Sequence, residues 1–206
     1  MLCALALAVL IPLQAAAPQT QPAVPEDQKA PPTPTPTPGP VEGARVAIET
    51  SMGRIVVVLY PEAAPRTVAN FLQYVADRHY DGTIFHRVMH HFMIQGGGYD
   101  TGLNERPTRT PIRSEARNGL RNARGALAMA RTDKPNTATA QFYINLRDNH
   151  ILDFGISGAG YAVFGRVVEG MDVVDLISRV PVSSRGPHEA MPDTPVVIKS
   201  VRAIEP

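Results

Sequence analysis

The stretch that most constrains the fold of this chain is residues 85–98, FHRVMHHFMIQGGG, in which two short apolar runs carry isolated polar residues and end in glycines. Arg87 interrupts the first run, and Gln95 closes the second. If the two runs pair as adjacent strands, the two-residue period of a strand places Arg87 and Gln95 on one surface, beside Phe92 or Met93. The stretch therefore predicts an apolar surface that carries two directed hydrogen-bonding groups.

Length and composition indicate one core-bearing domain with appendages, because the chain has 206 residues, of which 44% are hydrophobic and 19% charged. A net charge of +1 gives no electrostatic reason to expect nucleic acid as a partner. The arginines between residues 106 and 124 lack the interleaved aromatic side chains of a single-strand binder. They indicate a solvated loop with some salt bridges, or else a surface for an acidic partner.

The N-terminus is an apolar run, residues 2–17, that ends in Gln14 and three alanines. This pattern predicts a secretory signal peptide over residues 1–17, hence a periplasmic or secreted protein without stable membrane insertion after cleavage. A retained anchor and a wrongly assigned start remain alternatives, since no Lys or Arg precedes the run. The run is short for a spanning helix, which needs about 20 residues. Cys3, the one cysteine, lies in this leader, so the mature chain is expected to hold no disulfide or thiolate metal site.

Residues 18–43 are rich in proline, threonine, glutamine and alanine, and include the run PPTPTPTP at positions 31–38. Such a composition cannot bury a core and predicts a semi-rigid polyproline II linker. A role as a ligand for a proline-binding groove, even that of the same chain, is the alternative. The folded domain is then expected to span residues 44–206.

Within that domain, short apolar runs bounded by turn residues predict about eight strands and two helices. The first helix is expected from Pro65 to near His79 and the second from Met171 to Val180. The second is expected to bury Val173, Leu176, Ile177 and Val180 and to end before Pro181. Local hairpins and separated helices favour an antiparallel sheet that closes on itself, with helices covering its openings.

Two further motifs, QFYIN at 141–145 and GYAVFG at 160–165, follow the opening stretch. With these three motifs in order, the chain resembles the cyclophilins, which are peptidyl-prolyl cis/trans isomerases. The resemblance runs from about Ala44 to Ile204, and the insertion-rich stretch from Thr101 to Arg124 resembles the bacterial branch of the family. It implies a mainly β fold, a closed eight-stranded antiparallel barrel capped by two α-helices, with the site on its outer face. The partners it implies are proline-containing peptide segments, and a monomer is the expected state.

The resemblance assigns the catalytic role to Arg87. No cofactor, nucleophile or metal is needed, because the barrier of about 18 to 20 kcal/mol is the loss of amide conjugation on rotation. The remaining residues implied in substrate binding form a pocket, a backbone groove and their support: His86, Phe92, Met93, Gln95, Ala130, Arg131, Gln141, Tyr143, Leu152 and Tyr161. Taken without the resemblance, the sequence favours a strand-end arginine paired with an acid for Arg87. On the same basis, Phe92, Met93 and Leu152 could equally be residues of the core.

Three positions depart from the usual cyclophilin pattern. Tyr143 stands where phenylalanine is usual, Arg131 where many members have asparagine, and Ile151 where cyclosporin-sensitive members carry tryptophan. Tyr143 and Arg131 are expected to tune rate and substrate preference. Because the chain contains no tryptophan, cyclosporin is expected to bind weakly.

Other functions remain as hypotheses. A binding module or holdase could use the same groove without catalysis, and a carbohydrate-binding barrel on a proline-rich stalk would lack the usual tryptophan. His86, His90 and His91 could suggest a metal site, but the surrounding residues favour strand and turn, and no carboxylate lies nearby in sequence. The glycine runs match no phosphate loop or dinucleotide fingerprint.

Overall fold

The computed structural model describes residues 43–205. The predicted signal peptide and all but the last residue of the predicted linker lie outside these residues, as does Pro206. None of the helices in this part of the chain combines the length and the apolar character that crossing a membrane requires.

Eight strands close into an antiparallel barrel in the order β1, β10, β3, β4, β6, β5, β7, β2, which confirms the predicted fold class. A separate two-stranded hairpin, β8–β9, was not predicted from the sequence. The strands are β1 Arg45–Thr50, β2 Gly53–Leu59, β3 Thr83–Met89, β4 Met93–Asp100, β5 Ala126–Met129, β6 Phe142–Asn145, β7 Val163–Glu169, β8 Val182–Arg185, β9 His188–Pro192 and β10 Val197–Ile204.

Two α-helices are described, α1 Pro65–Ala76 and α2 Met171–Ile177, and both end about three residues earlier than the sequence predicts. A short 3-10 helix spans His150–Leu152. The predicted burial on α2 is correct for Ile177, and Val173 and Val180 are partly buried against the core. It is wrong for Leu176, which is 51% exposed, whereas Val174 is buried. A Cβ at Gly170 would lie 2.2 Å from the carbonyl oxygen of Arg54, so this glycine lets the helix start directly against β2.

The barrel interior is filled with large side chains that alternate with outward-facing ones along each strand. Phe71 of α1 packs against Phe142 of β6 and Phe164 of β7, with ring centroids 5.7 and 5.2 Å apart. A second, smaller apolar cluster lies on the outside of the barrel and consists of Met93, Ala126, Ala128, Tyr143 and Val163. This outer cluster is the base on which the site is built.

The long segment between β4 and β5 is fastened to the barrel by polar contacts. Glu115 accepts hydrogen bonds from the backbone N–H of Arg66 and Thr67 at 3.1 and 2.8 Å, so its carboxylate satisfies free donors in the first turn of α1. Arg109 pairs with Asp77, and Arg124 with Asp175 at 2.7 Å. These pairs agree with the prediction of a solvated loop that contains some salt bridges.

Candidate active site

Strands β3 and β4 place Arg87 directly opposite Gln95, as the opening stretch predicts. The pairing shifts between Phe85 and Arg87, so His86 is an extra residue in a β-bulge. The bulge changes the alternation: Phe85 and Val88 both join the interior core, whereas Arg87 turns to the outer face. Phe92 lies in the turn before β4 rather than in the strand.

Arg87 is half-buried, and its guanidinium makes no hydrogen bond or salt bridge with any other residue that the structure describes. Its partner across the strands, Gln95, is held instead by the next strand, because its Nε2 donates to Oε1 of Gln141 at 2.8 Å. The guanidinium is therefore positioned by its strand and remains available to a ligand. This excludes the interpretation of Arg87 as an arginine paired with an acid among residues 43–205.

A cavity of about 110 Å³ opens beside Arg87, and we call it the Arg87 pocket. Its walls include nine of the residues that the sequence analysis assigned to the site: Arg87, Phe92, Met93, Gln95, Ala130, Arg131, Tyr143, Leu152 and Tyr161. A pocket of this size, with apolar walls and a few convergent polar groups, suits one small apolar side chain or ring. His86 and Gln141, the remaining two, line an adjoining cavity.

The floor and the rim of the Arg87 pocket are fixed by hydrogen bonds. At the floor, the hydroxyl of Tyr143 donates to Oδ1 of the fully buried Asn122 at 2.8 Å, and burial raises the pKa of Tyr143 well above its usual value. At the rim, the guanidinium of Arg131 lies 4.4 Å from the ring centroid of Tyr161, and its Nε donates to the carbonyl of Gly160 at 2.9 Å. Asn122 was not predicted from sequence, since a lone asparagine in a long loop gives no signal.

The adjoining cavity, of about 300 Å³, shares Arg87 and Gln95 with the first and we call it the histidine pocket. The ring of His86 lies edge-on to Tyr99 at 4.9 Å and 6.3 Å from the ring of His188, which β9 contributes. Burial, followed by the nearby His188, lowers the pKa of His86 to about 4. His188 was missed by the sequence analysis because the β8–β9 hairpin has few apolar residues to mark it. Tyr99, near the end of β4, was missed because its place beside His86 depends on the tertiary fold.

The three histidines of the opening stretch do not converge. His86 faces the histidine pocket, whereas Nδ1 of His90 lies 3.2 Å from the carbonyl of Ser178 and its ring stacks near His91. Within residues 43–205, no group of three or more His, Cys, Asp or Glu side chains is arranged to hold a metal ion.

The chain is thus a closed eight-stranded barrel that carries an apolar pocket and a free guanidinium on its outer face. Comparison with known proteins identifies the family, since residues 45–203 match the family described as cyclophilin type peptidyl-prolyl cis-trans isomerase. The chain belongs to this family.

Individual relatives agree with the family match. The chain is 52% identical over 157 residues to a peptidyl-prolyl cis-trans isomerase of Acinetobacter baylyi, covering 76% of this chain and 84% of the relative. It is 49% identical over 163 residues to peptidyl-prolyl cis-trans isomerase B of Escherichia coli, covering 78% and 99%. The crystal structure of a Cryptosporidium parvum cyclophilin in the presence of the dipeptide Ala-Pro is 27% identical, with a TM-score of 0.69 and coverage of 79% and 99%. The protein is therefore an enzyme of the peptidyl-prolyl cis-trans isomerase class.

Proposed function

We propose that the Arg87 pocket is the active site, that it holds the proline ring of a peptide, and that Arg87 is the catalytic residue. The observation that carries this proposal is a half-buried guanidinium, without a partner among the described residues, at the edge of an apolar pocket of about 110 Å³. Partial burial of a charged donor beside apolar walls, without a partner, lowers the stability of the fold. A purely structural role for Arg87 would therefore not explain its position. Binding an acceptor there accounts for it.

The chemistry follows from the electronic change on rotation. In the planar amide the prolyl nitrogen shares its lone pair with the carbonyl, and in the twisted state it regains that pair and can accept a hydrogen bond. A donor fixed beside the nitrogen then binds the twisted state more tightly than the planar state, which is the condition for catalysis. The planar fork of Arg87 can also reach the carbonyl that follows. No proton is transferred and no covalent bond changes.

The neighbouring polar groups position the peptide. The Gln95–Gln141 pair lies between the two cavities, so one amide orients the other beside the substrate backbone. Ala130 borders the pocket, and its N–H donates to the carbonyl of Gln141 at 3.0 Å, which fixes the wall of the groove. Arg131 on Tyr161 closes the rim. His86 acts as a neutral support, since its lowered pKa keeps it uncharged at neutral pH.

Arg87→Ala tests the mechanism. We expect kcat on an alanyl-prolyl tetrapeptide, followed by exchange NMR, to fall roughly a hundredfold to a thousandfold, as it does when one preorganised donor is removed from other enzymes. Peptide affinity and the melting curve should stay close to wild type. Arg87→Lys should recover part of the rate, because an ammonium cannot reproduce the planar fork.

The matched control is Arg185→Ala, which removes an exposed arginine of the β8–β9 hairpin outside both pockets. It should isomerise the peptide at the wild-type rate. An Arg87→Ala protein that melts normally and isomerises within threefold of wild type would contradict the mechanism. The same result would favour a holdase that uses the groove without catalysis.

We further propose that the chain is an exported, monomeric isomerase, with a cleaved leader at residues 1–17, a linker at 18–43 and the catalytic domain from residue 44. The composition of the two N-terminal segments supports this division. Its clients would be proline-containing segments of proteins that fold after export. Intact-mass measurement of the protein from an exporting host should give a mature chain beginning near Pro18. A chain that retains residues 2–17 in the membrane fraction would contradict cleavage.

A further inference from the structure

Large apolar side chains are exposed in one short segment beside the Arg87 pocket. Six large hydrophobic residues are exposed among those the structure describes, and three of them fall within residues 151–156: Ile151 at 62%, Phe154 at 41% and Ile156 at 68%. Exposed apolar residues scattered singly are ordinary on a protein surface, whereas a cluster indicates a binding surface. We call these three residues the apolar ridge.

The apolar ridge is held in place. Oδ1 of Asp153 accepts hydrogen bonds from the backbone N–H and from Nδ2 of Asn122, at 2.7 and 3.1 Å. The guanidinium of Arg117 lies 4.6 Å from the ring centroid of Phe154. The N–H of Gly155 closes the turn on the carbonyl of Gly158 at 3.0 Å. A surface fixed in this way loses little conformational entropy on binding, which favours affinity.

A cavity of about 330 Å³ lies between the ridge and the loop before β5. Phe154, Ile156 and Leu120 supply apolar walls, and Arg117 and Arg121 supply positive charge. The carboxylate of Asp153 also lines the cavity, but its Oδ1 is engaged by Asn122, so positive charge is in excess. The cavity adjoins the proposed active site along the chain, because Leu152 lines the Arg87 pocket and Phe154 lines this cavity. Two extended residues span at most about 7 Å. A polypeptide that leaves the Arg87 pocket can therefore reach it within a few residues.

We propose that the apolar ridge and its cavity form a second binding site for the client polypeptide, for an apolar side chain a few residues from the proline. The inference rests on the proposed function and extends it, because it names the class of substrate: unfolded segments with an aliphatic or aromatic residue near the proline. The two arginines favour an acidic residue beside that apolar one. Short peptides without these residues do not use the site.

The test compares variants of the full chain on two substrates. Ile156→Ser and the double variant Phe154→Ser/Ile156→Ser should keep the wild-type rate on an alanyl-prolyl tetrapeptide, which does not reach the ridge. On an unfolded protein whose refolding is limited by proline isomerisation, kcat/KM should fall roughly fivefold to tenfold through KM, because apolar contact is lost. The matched control is Leu176→Ser on α2, an exposed leucine that lines none of the cavities described.

A peptide series locates the contact. Adding leucine and aspartate two to four residues before or after the proline should lower KM for the wild type on one of the two sides, and the double variant should lose the gain. Replacing the aspartate by lysine should weaken the effect, and equal KM values for the two peptides would overturn the acidic preference. Equal KM values with leucine and alanine on both sides would overturn the proposal.

Two other occupants give different results, and either would overturn the proposal. If a second copy of the chain covers the ridge, the variants change the sedimentation coefficient and leave client refolding unchanged. If the chain's own residues 18–43 cover it, the variants speed client refolding instead of slowing it. In every case, a wild-type rate on the tetrapeptide shows that the proposed active site stands independently of the ridge.

Discussion

The barrel carries one apolar cluster inside and another outside, and the two differ in how their polar neighbours are satisfied. Inside, the aromatic rings pack edge to face, and the hydroxyl of the fully buried Tyr80 donates to the carbonyl of Ala140 at 2.8 Å. Outside, Met93 and Tyr143 are as deeply buried, yet the neighbouring Arg87 has no partner within residues 43–205. The inner cluster is packed on all sides and its polar groups are satisfied within the protein. The outer cluster has one exposed side, where a charged donor is free to bind a ligand.

Under the proposal that the Arg87 pocket is the active site, this difference separates residues for stability from residues for function along the same strands. In β6, Phe142 faces the interior and belongs to the core, whereas the adjacent Tyr143 faces the pocket. The separation is possible because successive side chains of a strand point to opposite faces. In β3, the bulge at His86 shifts this alternation by one residue. Substitutions in the two clusters should therefore have different signatures in folding and in activity.

The largest expected effect is on the inner side. Phe142→Ala should lower the free energy of unfolding by about 3 to 5 kcal/mol, because it leaves a cavity among Phe71, Tyr80 and Phe85. Phe92→Ala on the outer side should lower it by less than about 1.5 kcal/mol, because this side chain is partly exposed, and should raise KM instead. Denaturant titration with steady-state kinetics on both variants measures the contrast. Equal losses of stability would show that the pocket is part of the core.

The next effect is the pH dependence of stability that His86, at the boundary between the two clusters, should produce. His86 has a folded pKa of about 4 against roughly 6.5 in an unfolded chain, so the unfolded state binds more protons between these values. Its contribution to stability is complete above pH 6.5 and is lost as the pH falls toward 4. The groups that face it are His188, Tyr99 and Arg87.

Denaturant titrations at pH 7.5 and 4.5 measure this contribution. The wild type should lose roughly 2 to 3 kcal/mol more than His86→Gln between the two values. Comparison with the variant removes the contribution of carboxylates with lowered pKa values, such as Asp81 beside Arg202. Isomerisation of the tetrapeptide should be independent of pH between 6 and 8, since His86 stays neutral there. Parallel losses in the two proteins would show that His86 is solvated in the folded state.

The barrel and most of the pocket could be predicted because both depend on local patterns. Apolar runs and turn residues predict about eight strands, and the barrel has eight. The resemblance to the cyclophilins predicts that Phe92, Ala130, Leu152 and Tyr161 line one pocket, as they do in the structure. The predicted burial of Leu176 was wrong because the apolar residues of α2 cover more than one face, and the apolar period alone does not fix which face meets the barrel. The contribution of β9 was missed because His188 reaches its neighbours only through the tertiary fold.

The same limit applies to Asn122, which joins the floor of the pocket to the segment that carries the apolar ridge. Its Oδ1 accepts from Tyr143 and, at 3.3 Å, from Nδ2 of Asn145, while its own donors hold Asp153. Three residues that lie 21, 23 and 31 positions after Asn122 in the sequence meet at its buried amide. No spacing rule predicts such a junction, because each bond depends on the closed barrel.

The smallest expected effect tests that junction. Tyr143→Phe restores the side chain usual in cyclophilins and removes the hydroxyl that donates to Asn122, so the free energy of unfolding should fall by about 1 kcal/mol. The loss should be no larger, because Oδ1 of Asn122 keeps its contact with Asn145. Activity on the tetrapeptide should stay within about twofold, since the ring still forms the pocket floor. Hydrogen exchange of the N–H of Asn122, which donates to Asp153, should quicken in the variant. Unchanged exchange at this N–H, together with wild-type stability, would contradict the prediction. It would mean that the hydrogen bond from Tyr143 to Asn122 adds no stability beyond that of hydration, and that the pocket and the ridge are not coupled through Asn122.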